Sequence, residues 1–325
     1  MLKKMEKPYV VGIDIGGQTA KIGIVNAHGE ILAQTVIRSD QHTDADLFIQ
    51  SLCETIKNLA AANKIELSQL RGIGVGAPNG NYYKGTIECA VNLKWGGNRL
   101  IPFAEIMSKT IGIPIALTND ANAAAMGEMT YGAARNMKNF IMITLGTGVG
   151  SGIIIDGKVL YGHDGFAGEL GHTTIVRENG RACSCGKNGC LEAYTSATGV
   201  ARSAREVLET TTRKSLLRNL PIESISSKDV SEAALQGDSV ALEIFDFTGK
   251  MLGEAFADFV AFSSPEAIIL FGGLTKSGDL IMKPIVENME KNLLPLWRGK
   301  IKVLFSQLKE SDAAILGSSA LAWDL

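Results

Sequence analysis

A surplus of charge of either sign is missing from this chain. Its 32 lysines and arginines face 34 aspartates and glutamates, a net of -2. That balance leaves no electrostatic footprint for nucleic acid or for an anionic membrane surface. Long apolar runs are missing too: no stretch approaches the roughly 18 residues of a membrane-spanning helix. The basic start, Met1 to Pro8, leads into an apolar run that Asp14 interrupts, so it does not read as a signal peptide. The expected compartment is a reducing cytoplasm. No low-complexity linker divides the chain, and the G-x-x-x-x-G-K-[ST] pattern of a Walker phosphate loop does not occur. Cysteine is scarce, at 5 residues.

Against these absences stand a length of 325 and 46% hydrophobic residues, enough for about two domains with a core each. Glycine is plentiful, at 36 residues, and has no period. It gathers in a few turns, and those turns are where function is to be sought.

Three of the cysteines share one short segment with a histidine. The run Glu169-Leu170-Gly171-His172 precedes Cys183-Ser184-Cys185-Gly186-Lys187-Asn188-Gly189-Cys190-Leu191-Glu192. One imidazole and three thiols are the ligand set of a closed tetrahedral zinc site. Gly186 and Gly189 give the turns that bring thiols together. Disulfide bonding or free thiols are the competing readings. Three is an odd number for disulfides, and the spacing is C-x-C rather than C-x-x-C. A zinc knuckle for nucleic acid fits poorly, since only Arg181 and Lys187 are basic nearby. Glu169 and Glu192 flank a set already complete with four ligands and are free for other work. Cys53 and Cys89 stand alone and read as buried small hydrophobes.

Tyr9 to Ile15, Ala20 to Val25 and Glu30 to Ile37 read as a three-strand meander. The first hairpin recurs at an offset of 130 residues, where Asp14 to Asn26 aligns without gaps on Thr144 to Asp156. Each copy is an apolar strand, a glycine turn and a second apolar strand, which suggests two related lobes. Asp44 to Ala62, Ala121 to Tyr131, Asp238 to Phe262 and Asp312 to Trp323 have helical character. Gly72 to Ala77, Ile113 to Leu117 and Glu266 to Phe271 read as buried strands. Strands alternating with helices give an α/β class. Gly249 and Gly253 predict a close helix contact in a core.

Gly16-Gly17 and Gly146-Thr147-Gly148 each follow a strand, and Gly272-Gly273 follows a third. Glycine there lets backbone N–H groups approach an anion, and a hydroxyl adds a donor. Two related copies plus a third turn favour a nucleotide over ordinary hairpins. A dinucleotide fingerprint matches poorly, because a strand and not a helix follows each turn. Asp14 could hold Mg²⁺ through water or simply stabilise its turn. Asn119-Asp120, between a strand and a helix, is open to two readings of equal weight: an N-cap and a general base at a strand end. Asn92-Leu93-Lys94-Trp95 and Gly76-Ala77-Pro78-Asn79-Gly80 are polar and glycine-bearing loops.

Together these segments resemble the ROK family (repressors, open reading frames and kinases), and within it the ATP-dependent glucokinases. The motifs are Asp14-Ile15-Gly16-Gly17, Asn92 to Trp95, Asn119 to Ala124, Leu145 to Gly150, Gly168 to His172 and the Cys183 to Glu192 block, in the family's order across the whole chain. The resemblance implies an actin-like ATPase (ribonuclease H-like) fold, two lobes around a cleft. Residues 1–118 with 307–325 would form the smaller lobe. Residues 119–306 would form the larger, with the zinc loop and oligomer contacts. It implies ATP-dependent phosphorylation of the primary hydroxyl of a hexose, with glucose first and N-acetylmannosamine, N-acetylglucosamine, allose or fructose as alternatives.

By this similarity Asp120 is the base. Asn92, Asn119, Glu169, His172 and Glu192, with Gly76 and Asn79, bind the sugar. Asp14, Gly16, Gly17, Thr19, Lys21, Gly146, Thr147, Gly148, Gly272 and Gly273 serve ATP and Mg²⁺. His172, Cys183, Cys185 and Cys190 hold a structural Zn²⁺. The family usually has Thr after its first Gly-Gly; Gln18 stands here, which leaves both Thr19 and Lys21 as side chains for phosphate. Many relatives have Pro-Gly where this chain has Pro78-Asn79. A homo-oligomer, dimer or tetramer, is expected. The repressor branch needs an N-terminal helix-turn-helix, and only eight residues precede the first strand. A non-catalytic actin-like filament protein has no use for a metal-held acidic cluster.

Overall fold

The computed structural model describes residues 7–325. Contacts divide the chain into two units, each with its own five-stranded sheet or the greater part of one. The first unit holds residues up to Asn136 with Lys158–Gly168 and Gln307–Leu325. The second holds Met137–Gly157 and Glu169–Ser306.

The first sheet contains β1 (Tyr9–Ile15), β2 (Thr19–Asn26), β3 (Ile31–Arg38), β4 (Leu70–Gly76) and β5 (Ile115–Thr118), in the order β3-β2-β1-β4-β5. β1 to β3 form the expected antiparallel meander, and β4 and β5 add in parallel. β1 and β4 are nearly continuous apolar runs because helices cover both faces of the sheet. On one face lies the helix Ala45–Ala62, capped by Asp44, whose carboxylate accepts from the amides of Asp46 and Leu47. It buries Phe48, Ile49, Leu52, Cys53 and Ile56, and Phe48 stacks on Trp95 at 4.8 Å between ring centres.

The helix Glu310–Ala320 returns across the other face of β1 and β4. The backbone itself makes that contact: a Cβ at Gly12 would lie 2.1 Å from the Ile315 carbonyl oxygen, and one at Gly74 would lie 1.8 Å from that of Ser318. The helix Asp120–Tyr131 packs on this returning helix where Gly127 meets Gly317. That packing is why residues 119–136 belong with the first unit, whereas a boundary after residue 118 assigns them to the second. Lys158–Gly168 also joins the first unit, through the Asn81 side chain, whose amide donates to the Asp164 carbonyl at 2.8 Å.

In the second unit, β6 (Phe140–Leu145), β7 (Val149–Ile155), β8 (Ala267–Phe271) and β9 (Lys302–Phe305) lie in the order β7-β6-β8-β9. The β6–β7 pair is antiparallel and the other two are parallel, repeating β2-β1-β4-β5 of the first unit. The repeat visible in the sequence is therefore a repeat of sheet topology. The long helix Ser239–Ser263 packs on Asp279–Asn292. A Cβ at Gly249 would come within 2.5 Å of the Pro284 ring, and one at Gly253 within 2.5 Å of the Ile285 carbonyl oxygen. This is the close helix contact that the two glycines predict. Among the described residues, no helix is long and apolar enough to cross a membrane.

Candidate active site

In the first unit, the sequence-predicted residues gather at the ends of β1, β4 and β5. Asp14 is the next-to-last residue of β1 and pairs across the hairpin with Lys21. The turn is held by the Gly16 amide, which donates to the Thr19 carbonyl at 2.9 Å, and by the Ser39 hydroxyl, which donates to the Gly16 carbonyl at 2.7 Å. The contribution of Ser39 has no sequence signal, since it lies 23 residues from its partner. Gly17 meets the Asn92 loop closely: a Cβ there would stand 2.9 Å from the Asn92 carbonyl oxygen. Asn92 is exposed, while Leu93 and Trp95 anchor its loop in the core.

β5 ends at Thr118, which is fully buried. Asn119 caps the next helix by accepting from the Ala121 amide at 2.8 Å, and Asp120 occupies its first turn. The two readings of this dipeptide thus fall on different residues: Asn119 is the cap and Asp120 is left exposed. One Asp120 oxygen also accepts from the Ala121 amide at 2.8 Å. The protein crowded around Asp120 raises its pKa, opposed by backbone amides of the helix start. Solvent nonetheless reaches the carboxylate, and that accessibility decides what a substrate can touch. Asp14 is pushed up to about 6, first by burial, next by the charge of Asp120, with Lys21 opposing. A carboxylate raised by burial and by a second carboxylate suits a site that receives a cation.

The Gly76–Asn79 loop connects this strand end to the small sheet of Gly80–Asn81, Thr86–Glu88 and Leu100–Ile101. Asn79 has φ of +52°, where asparagine is tolerated in place of glycine. Its side-chain amide donates to the Cys89 carbonyl at 3.1 Å, so it serves the loop itself. Cys89 departs from expectation. It is exposed at φ +51°, whereas Cys53 is buried as predicted.

The second unit carries the thiol cluster. His172, Cys183, Cys185 and Cys190 place their ligand atoms within 4.8 Å of one another. Tetrahedral zinc, with bonds of about 2.3 Å to sulfur and about 2.0 Å to nitrogen, sets sulfurs about 3.8 Å apart and sulfur about 3.5 Å from nitrogen. Cys185 and Cys190 sulfurs are 3.7 Å apart, and Cys183 sulfur is 3.6 Å from His172 Nδ1. The residues fit the ion, and no disulfide links them. Burial pushes the Cys190 thiol up to about 12, so a cation is what would ionise it. The contact through Nδ1 leaves His172 Nε2 for another partner. Lys187 donates to the His172 carbonyl at 2.8 Å and fixes that residue from the far side of the loop.

Glu192 begins the helix Glu192–Thr195, two residues after Cys190. One of its oxygens accepts from the Val149 amide at 2.9 Å; the other lies 3.2 Å from the Ser184 hydroxyl. A Cβ on Gly148 would stand 2.4 Å from that first oxygen, so glycine at 148 makes room for the carboxylate. The Val149 and Ser184 contacts escaped the sequence reading, although each adjoins a residue it singled out. Glu169 is exposed at the start of the single turn Leu170–His172. Positions Gly146 and Gly273 have open space where a Cβ would point, and Thr147 is exposed. Gly272 adopts φ of +113° and abuts Leu145. These turns follow β6 and β8, side by side in the sheet.

Two sheets of the same strand order, each with a glycine turn after its first strand, define an actin-like ATPase fold. The chain belongs to the ROK family, whose sequence profile matches residues 10–324. It is 36% identical over 319 residues to a glucokinase of Halalkalibacterium halodurans, spanning 98% of this chain and 96% of that protein. With a glucokinase of Thermotoga maritima it shares 33% over 320 residues, 98% of each. The crystal structure of a ROK family glucokinase from Streptomyces griseus in complex with glucose and AMPPNP superposes with a TM-score of 0.79 at 32% identity. That match covers 98% of this chain and 100% of that one.

Proposed function

We propose that the protein is a hexose kinase that transfers the γ-phosphoryl group of ATP to the primary hydroxyl of a hexose, with glucose as first candidate. The observation that carries the reading is Asp120: an exposed carboxylate in the first turn of a helix, next to a separate capping residue, in a chain similar to glucokinases along its whole length. Asp120 accepts the hydroxyl proton as the oxygen attacks the γ-phosphorus and ADP leaves. Phosphoryl transfer passes through a loose transition state, so the protein mainly positions and neutralises. Asn92, Asn119, Glu169, His172 Nε2 and Glu192 take the other hydroxyls, and Gly76 and Asn79 share in sugar binding. Carboxylates accept hydrogen bonds from neighbouring hydroxyls, and a ring fixed through Nδ1 has a fixed tautomer for reading one more.

The turns at Gly16-Gly17, Gly146-Thr147-Gly148 and Gly272-Gly273 offer amides to the phosphates, aided by Thr19 and Lys21. Asp14 would help hold Mg²⁺, whose charge would neutralise the phosphates. Zinc, when bound by His172, Cys183, Cys185 and Cys190, fixes the spacing of Glu192 and His172. The protein works in the cytoplasm as a homo-oligomer. Coupled ADP release against glucose, N-acetylmannosamine, N-acetylglucosamine, allose and fructose, with zinc measured on the same sample, tests the reading. Hexose-dependent release with about one zinc per chain is expected. Release indifferent to every sugar would overturn it.

A further inference from the structure

Arg181 enters the thiol loop two residues before Cys183, and neither metal binding nor sugar binding uses it. Its side chain is nonetheless 11% exposed, unusual for arginine. We propose that Arg181 is a positioning residue for sugar recognition: it fastens the thiol loop to the helices that follow and so fixes Glu192. The proposal rests on Glu192 accepting hydrogen bonds from the acceptor sugar.

The guanidinium lies over the Tyr194 ring, 4.6 Å from its centre, and 5.9 Å from that of Phe247. Both are within cation–π range. One terminal nitrogen donates to the Ala193 carbonyl at 3.2 Å, to the Gly199 carbonyl at 3.5 Å and to the Ser203 hydroxyl at 3.0 Å. The other reaches Glu206 at 2.5 Å. The backbone of the same residue adds two bonds. Its amide donates to the Tyr194 hydroxyl at 2.8 Å, and its carbonyl accepts from the Gly189 amide at 2.8 Å. A single residue thus joins the start of the loop, the end of the loop and the helix Ala197–Thr210.

Glu192 stands between two fastenings. Cys190, a metal ligand, is two residues before it; Ala193, held by Arg181, is the residue after it. Metal alone fixes one side of that turn. A planar fork can meet several acceptors in fixed directions, which lysine cannot do. Carboxylate oxygens shifted by an ångström lose hydroxyl hydrogen bonds, so loss of Arg181 falls on the sugar and spares the nucleotide.

Arg181→Met keeps a long side chain over Tyr194 and removes the fork. Glu206 retains Arg202 at 2.8 Å, so no carboxylate is stranded. Hexose KM, ATP KM and kcat are read from coupled ADP release, and zinc transfer to a chromogenic chelator is timed in parallel. Partners behind a metal ligand are typically worth about 10–100-fold. Hexose KM is expected to rise by about tenfold or more with ATP KM nearly unchanged, and zinc transfer to quicken by a similar factor. Arg181→Lys falls between, in the same order. A folded Arg181→Met protein with wild-type hexose KM, or one whose two KM values rise together, overturns the proposal. If Arg181→Met does not fold, Arg181→Lys and Glu206→Gln carry the same measurement. Should the wild-type protein release no ADP with any hexose, the kinase reading has failed. Arg181 is then judged on zinc transfer, where a wild-type rate overturns it.

Discussion

Asp14 keeps its proton to about pH 6, well above an ordinary aspartate. Burial and the charge of Asp120 both disfavour its ionised form. The native state therefore holds this proton more tightly than the unfolded chain does. The stability that follows is present below about pH 4 and is lost as pH rises through about 6. Without magnesium nucleotide, Asp14→Asn should raise Tm at pH 8 and leave it unchanged near pH 4. Thermal melts at both values check this, and a lower Tm at pH 8 would contradict it. Asp120→Asn should keep the fold and cut kcat by about 10²–10⁴-fold; more than a tenth of wild-type turnover counts against the base assignment. At this scale the sequence was partly legible. Asn79 stands where many relatives have glycine, and it keeps the positive φ that few other side chains tolerate. Cys89 had no such signal, because nothing in its neighbours marks the turn that exposes it.

Secondary-structure elements place these residues, and glycine sets how closely they approach. Gly148 lies in the β6–β7 hairpin, and its missing side chain is the space that a Glu192 oxygen fills. Gly148→Ala should displace that carboxylate from the Val149 amide. We expect hexose KM to rise by about 10-fold, the loss of roughly one charged hydrogen bond, with little change in Tm. A hexose KM at the wild-type value would show the carboxylate to be dispensable. Most long elements were readable from apolar spacing: the meander, the helix capped by Asp44 and the helix after Asp238 fall within two residues of expectation. The helix Asp279–Asn292 was invisible in itself, yet Gly249 and Gly253 announced that some helix lies there.

At the scale of the whole molecule, the 130-residue repeat was the most informative sequence signal, because it marks the hairpin that both sheets share. The assignment of residues 119–136 to the first unit was not legible, since it depends on packing against the distant helix Glu310–Ala320. The thiol cluster belongs to the second unit. Stripping the metal with a chelator should therefore raise hydrogen exchange through Glu169–Glu192 and leave the amides of β1 to β5 protected. Mass spectrometry of exchanged peptides checks this; equal loss in both units would make the metal a determinant of global stability.

The seat of the helix Glu310–Ala320 on Gly12 and Gly74 has a consequence for biosynthesis. On the ribosome, the first sheet emerges early, but the element that covers one of its faces is translated only after the whole second sheet. At about 5–20 residues per second, that apolar face waits many seconds for its lid. A nascent polypeptide paused before Glu310 exposes it throughout, and so is the species that chaperones should capture.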